Sequence, residues 1–128
     1  MLFRSGLDWT LEYVRGRTAF GAPLADLQTI QFALAEIHTE VELGTGLVDR
    51  CVAELNAGQL SAEDAAMAKW WCTEMQGRVL DRCLQLHGGY GYMSEYPNSR
   101  AWSDARVTRI YGGTTEIMKS IIGRSLVA

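Results

Sequence analysis

From Leu27 to Leu55, nine positions follow one another at alternating spacings of three and four without a miss: Leu27, Ile30, Leu34, Ile37, Val41, Gly44, Val48, Cys51 and Leu55. All but Gly44 are apolar side chains. Only an α-helix brings such a series onto one side, and so narrow a stripe must lie against other helices in a bundle or coiled coil. Gly44, on the same stripe, predicts close approach by a neighbouring helix. Asn56-Ala57-Gly58 then supplies a stop.

The flanking segments read the same way. Phe3, Leu7, Leu11 and Val14 recur at helical spacing over residues 2–17. That pattern starts at Met1 with no N-cap or lead-in, as it would in a helix cut short by the start of the chain. Gly21-Ala22-Pro23 breaks it and opens the next helix. Ser61, followed by Glu63 and Asp64, predicts an N-cap with acidic residues in the first turn. Ala68, Cys72, Met75, Val79, Cys83 and Leu86 form the stripe of that third helix. Trp70 and Trp71 cannot both face one way, so at least one is expected to serve either a second surface, such as a subunit interface, or a wide core face. Pro97 opens a short helix through about Val107. Gly112-Gly113 breaks the chain again, and Thr114 caps a final helix ending near Arg124, with Ile117, Ile121 and Leu126 as its core side. No segment alternates with period two. The expected fold is therefore all-α: one domain over residues 1–128, an up-and-down, four-helix-bundle-like domain with short extra helices.

Composition excludes several classes. The chain has 128 residues, 48% of them hydrophobic, and only two prolines, which suits a packed core and not disorder. Its net charge of −3 provides no basic stripe for nucleic acid. No apolar run is long enough to span a bilayer, and the first residues lack a signal-peptide pattern. Cys51, Cys72 and Cys83 are odd in number and contain no C-x-x-C. They read as buried thiols in a reducing, cytoplasmic setting, and with His38 and His87 they match no metal-ligand spacing.

Two glycine-rich stretches interrupt the helices: Gln85-Leu86-His87-Gly88-Gly89-Tyr90-Gly91-Tyr92 and Ile110-Tyr111-Gly112-Gly113-Thr114-Thr115-Glu116-Ile117. Glycine stops a helix by taking positive φ without steric cost. It also leaves backbone N–H groups bare to a phosphate or a flat ring.

With Arg17-x-x-Phe20-Gly21 upstream, these stretches stand in the order and at about the separations found in the C-terminal helical domain of the acyl-CoA dehydrogenases, and the chain resembles that domain over essentially its whole length. The Gln85–Pro97 and Tyr111–Arg124 stretches are most similar to the long-chain branch. The resemblance implies FAD-dependent α,β-dehydrogenation of an acyl-CoA thioester. It implies that Arg17 contacts the FAD pyrophosphate, that Phe20 lies near the adenine, and that Gln28 reaches the FAD. Gln85, Gly88 and Gly89 would form the adenine-and-diphosphate turn and serve the FAD of a neighbouring subunit. Thr114, Thr115 and Glu116 would touch the FAD held by the same subunit, and Tyr111 and Gly113 would lie beside the acyl thioester. A homodimer or homotetramer and an electron-transfer partner protein are implied too.

Residue 112 departs from the pattern. Many members of the family carry the catalytic glutamate there, and glycine cannot take a proton. In the long-chain and isovaleryl branches the base comes from an earlier helix, which implies a residue before Met1 and no catalytic residue within this chain. Glu12 lies too close to Arg17 to match it. The middle and N-terminal domains of the family have no counterpart here, so these 128 residues are expected to be inactive alone. The alternative is a free-standing, non-catalytic helical protein acting as a partner or assembly subunit.

Overall fold

The computed structural model describes all 128 residues. Six α-helices are present: α1 Leu2–Gly16, α2 Gln28–Asn56, α3 Ala62–His87, α4 Gly89–Tyr92, α5 Pro97–Ala105 and α6 Thr115–Val127. The fold is all-α, with α3 as the axis on which α1, α2, α5 and α6 all pack.

The long stripe of α2 faces inward as its spacing requires. Ile37, Val41, Gly44 and Cys51 are buried. Ile37 and Val41 join Phe3 and Leu7 of α1 and Met75, Val79 and Cys83 of α3 in the main core. Gly44 meets the close approach expected of it: a Cβ there would strike Met75 and stand 3.4 Å from Trp71. The stripe ends sooner than its spacing suggests, because Leu55, in the last turn, is 63% exposed. On the other side of α3, Leu80, Ala101 and Ala105 form a second core with Leu2 and Trp9 against it.

Local signals account for most helix ends. The Ser61 hydroxyl accepts the Asp64 N–H at 3.0 Å and caps α3. Pro97 occupies the first turn of α5, which tightens into a 3-10 turn over Arg106–Arg109. Thr114 accepts the Ile117 N–H at 3.4 Å and caps α6.

Two further features differ from the sequence expectation, and a third agrees with it. Gly21-Ala22-Pro23 does not start α2. Thr18–Ala19 and Ala22–Pro23 pair as a small antiparallel hairpin, a 3-10 turn follows over Leu24–Asp26, and Leu27 is the N-cap of α2. The hairpin turn is Phe20-Gly21, both at positive φ (55° and 81°), the handedness that tight hairpin turns require.

The inner side of α6 keeps Ile121, which is half-buried beside Met118 and Ile122, but not Ile117 and Leu126. Ile117 and Leu126 are 54% and 78% exposed, whereas Thr115 is buried with its hydroxyl bonded to Glu74. A polar bond to α3, which hydrophobic spacing does not register, lies on the inner side of this helix beside half-buried Met118 and Ile122.

The tryptophan pair divides between two neighbours within the chain. Trp71 packs on the main core, and Trp70 lies under Lys119 of α6, 4.8 Å from its ammonium.

Candidate functional site

The end of α3, the one-turn helix α4, the end of α1 and the hairpin enclose an open groove of about 810 Å³. Arg17, Phe20, Gln85, Gly88 and Gly89, distant in sequence, all line it. Local geometry explains why each is presented there. Arg17 is the C-cap of α1 in extended conformation. Its guanidinium lies over the Tyr90 ring, which keeps a mobile cation in one place. Phe20 is 94% exposed and sits at φ 55°, where a bulky residue is strained. An exposed ring on a strained backbone makes Phe20 a candidate contact residue.

The two glycines differ in what requires them. Gly88 ends α3 at φ 60°, ψ −143°, a conformation that favours glycine. Gly89 has ordinary helical geometry, and a Cβ there would meet nothing within 4 Å. Nothing within the protein demands glycine at 89, and its absent side chain leaves the backbone bare toward the groove.

Behind the groove stands an aromatic and polar cluster that sequence reading did not single out. His87, the last residue of α3, is buried and stacked on Tyr13 at 4.2 Å, with Tyr96 edge-on at 6.2 Å. Its Nδ1 lies 2.9 Å from the Cys83 carbonyl and 3.0 Å from the Asn98 amide, which itself reaches Thr10 at 3.1 Å. Burial holds the His87 pKa below its ordinary value, so the ring is neutral near pH 7. Burial raises the Tyr13 hydroxyl, partly offset by the Arg17 charge. This cluster ties α1, α3 and α5 together directly beneath the Gly88-Gly89 turn.

Gln28, the first residue of α2, is exposed beside Leu27 but does not line the groove. Thr114, Thr115 and Glu116 also stand apart from it. They open α6 near Glu74, and a rise of 1.5 Å per residue puts Glu74 roughly 16 Å along α3 from Gln85. The chain therefore presents two separate surfaces. At the second, Tyr111 is exposed, and Gly112 and Gly113 have φ of 64° and 104°. Hydrogen bonds from its own N–H and from the Thr114 hydroxyl lower the Glu116 pKa. Glu74, the carboxylate tied to this loop, has one oxygen on Arg109 at 3.1 Å and the other on Thr115 at 2.9 Å, so it offers no free base.

No group of three or more His, Cys, Asp or Glu side chains could hold a metal, and the three cysteines are free and buried. No helix is long and apolar enough to cross a membrane.

The family described as "Acyl-CoA dehydrogenase, C-terminal domain" matches residues 1–127. The chain belongs to the acyl-CoA dehydrogenase family.

Among curated members, the long-chain specific acyl-CoA dehydrogenase of Rattus norvegicus is 48% identical over 119 residues, which cover 93% of this chain and 28% of that protein. The short-chain specific enzyme of Megasphaera elsdenii is 37% identical over 91% of the chain and 30% of its own length. The likeness to the long-chain branch read from the motifs thus extends across the domain. Among solved structures, an acyl-CoA dehydrogenase from Geobacillus kaustophilus superposes with a TM-score of 0.96 at 47% identity, covering 99% of this chain and 33% of that one. The chain spans about a third of the length of the acyl-CoA dehydrogenases it matches.

Proposed function

We propose that this chain is the FAD-contacting and oligomerising C-terminal domain of a flavin-dependent acyl-CoA dehydrogenase. The observation that carries this reading is the groove in which Arg17, Phe20, Gln85, Gly88 and Gly89 converge. Its donor set suits the adenosine-diphosphate end of FAD: a guanidinium for phosphate, an exposed ring beside a flat base, and a bare backbone turn. Arg17 binds the pyrophosphate, Phe20 covers the adenine, and Gln85, Gly88 and Gly89 form the turn against which both lie. Gln28 reaches the same cofactor from the start of α2.

The second surface serves another FAD and the substrate. Thr114, Thr115 and Glu116 contact a cofactor at the N-terminus of α6, and Tyr111 and Gly113 flank the acyl thioester. The separation of the two surfaces along α3 supports a division in which the groove serves a neighbouring subunit's FAD. Phe32, Leu43, Val52 and Leu55, exposed along α2, add apolar surface for a homodimer or homotetramer.

In the reaction, the thioester loses its α-hydrogen as a proton and its β-hydrogen as hydride. FAD, when bound, supplies the hydride acceptor. This chain's part is to hold the cofactor and orient the thioester. Gly112 supplies no carboxylate, so no catalytic base is assigned within these 128 residues. An electron-transfer partner protein then takes the electrons. One relative is named as a subunit of a caffeyl-CoA reductase–Etf complex, which supports a partner of that kind. The unpaired buried cysteines suit the cytoplasm or another reducing compartment, and the long-chain relatives are named as mitochondrial.

The test is purification of the 128 residues followed by a visible spectrum and an acyl-CoA oxidation assay. A colourless protein that reduces no acceptor is expected. Turnover by these residues alone would overturn the reading.

A further inference from the structure

We infer that Glu74 is a positioning residue that clamps both ends of the loop Ile110–Thr114. Its role in turnover rests on the acyl-CoA dehydrogenase reading given above. Arg109 precedes this loop and Thr115 follows it. The two oxygens of one carboxylate hold both: Oε2 pairs with Arg109 Nη1 at 3.1 Å, and Oε1 accepts the Thr115 hydroxyl at 2.9 Å. A single side chain of α3 thereby fixes the entry and the exit of the loop. Lys69, also of α3, donates to the Gly113 carbonyl in between.

Three observations show that the arrangement is built for this. Gly77 lies under the Arg109 guanidinium, and any Cβ there would strike it. The absence of a side chain at 77 leaves room for Arg109 to lie across α3 beside Glu74. Thr115 is buried with its hydroxyl on Glu74 while its more apolar neighbour Ile117 is exposed, so the bond to Glu74 helps to orient the first turn of α6. Beyond the Lys69 contact and the amide bonds of Ile110 and Tyr111 to Val107, the loop has little other support. Gly112 and Gly113 are both in left-handed conformations, and Ile110 and Tyr111 are 52% and 58% exposed. A loop of glycines and exposed side chains has high conformational entropy unless its ends are fixed. Glu74 fixes them, and Tyr111 and Gly113 inherit their positions from it.

The experiment compares Glu74→Ala, Glu74→Gln and Thr115→Val in the protein, with helicity by circular dichroism as the check on folding. The first readout is hydrogen exchange at the Ile110 and Tyr111 amides, which donate to the Val107 carbonyl at 2.9 and 3.1 Å. Exchange there should be tenfold faster or more in Glu74→Ala. Glu74→Gln, which keeps an oxygen for Thr115, should be intermediate. Thr115→Val should also speed exchange with Glu74 intact, and Gln85–Gly89 should exchange at wild-type rates in all three. Folded variants with unchanged exchange at Ile110 and Tyr111, or an equal increase everywhere, would overturn the clamp.

The second readout is acyl-CoA turnover in the holoenzyme. Glu74→Ala should lower kcat/KM at least tenfold when assayed with FAD in saturating excess. A loosened loop with wild-type kcat and KM would overturn the positioning role. Absence of any acyl-CoA turnover in the wild-type holoenzyme would overturn the functional reading, and amide exchange would still decide the clamp.

Discussion

The Arg17 guanidinium lies 5.3 Å from the centroid of the Tyr90 ring, so a cation at the end of one helix is held by an aromatic residue just past the end of another. The contact joins the two sequence stretches that build the groove. Arg17→Ala in the complete enzyme should weaken FAD binding roughly ten- to a hundredfold, since a charge-assisted contact to phosphate contributes about 1.5–3 kcal/mol. Tyr90→Leu should weaken it less, because the charge remains and only its placement is lost. Titration of the apoenzyme with FAD, followed by flavin fluorescence, measures both.

Gly89 and Gly91 should respond in opposite ways to one added methyl group. A Cβ at Gly89 meets nothing, whereas one at Gly91 strikes the Leu84 carbonyl and stands 2.8 Å from His87 Cβ. Gly91→Ala should therefore cost about 1–3 kcal/mol of stability, the usual penalty for overpacking against a rigid neighbour. Gly89→Ala should leave the thermal midpoint unchanged and reduce FAD affinity. Thermal unfolding and FAD titration on the same two variants separate the effects.

His87 should make stability pH-dependent on the acid side. Its folded pKa lies below the unfolded value of about 6.5, so the unfolded chain takes up a proton first as pH falls. The stabilisation from the neutral ring is complete above that unfolded value and is lost as pH drops through the folded one. Thermal midpoints from pH 8 to 5 should fall, and His87→Gln should flatten this part of the profile while lowering the plateau.

Cys72 and Cys83 should resist alkylation. Burial raises both thiols to about 11, so almost no thiolate exists at pH 8. Iodoacetamide at that pH should label them only after denaturant is added, as peptide mass spectrometry would show. Above the ordinary thiol pKa the sign reverses from that of His87: the unfolded thiols ionise first, and stability declines as pH rises toward 11.

Much of the architecture was legible because it depends on repetition. The stripe from Ile30 to Cys51 faces inward, and the cap at Ser61 and the start at Pro97 stand where their chemistry puts them. What escaped the reading depends on single contacts. The hairpin rests on two residue pairs and a strained Phe20, too few positions to show a period. The inward turn of Thr115 in α6 goes with one hydrogen bond to a residue 41 positions away. The groove residues were legible as a set, but the cluster of His87, Tyr13 and Asn98 beneath them was not, because a histidine at a helix end carries no mark of what stacks on it.

The most direct test is an NMR titration of the isotope-labelled protein with FAD, reading backbone amides one by one. Shifts at Arg17, Phe20, Gln85, Gly88, Gly89 and their immediate neighbours, with any others limited to Gln28 and Thr114–Glu116, are the expected result; the groove shifts should saturate only at high FAD concentration and be abolished by Arg17→Ala. Amides at the far end of α2, around Asn56, should not move. If the groove amides stay fixed in millimolar FAD while others shift, or if Arg17→Ala changes nothing, the groove is not a flavin surface.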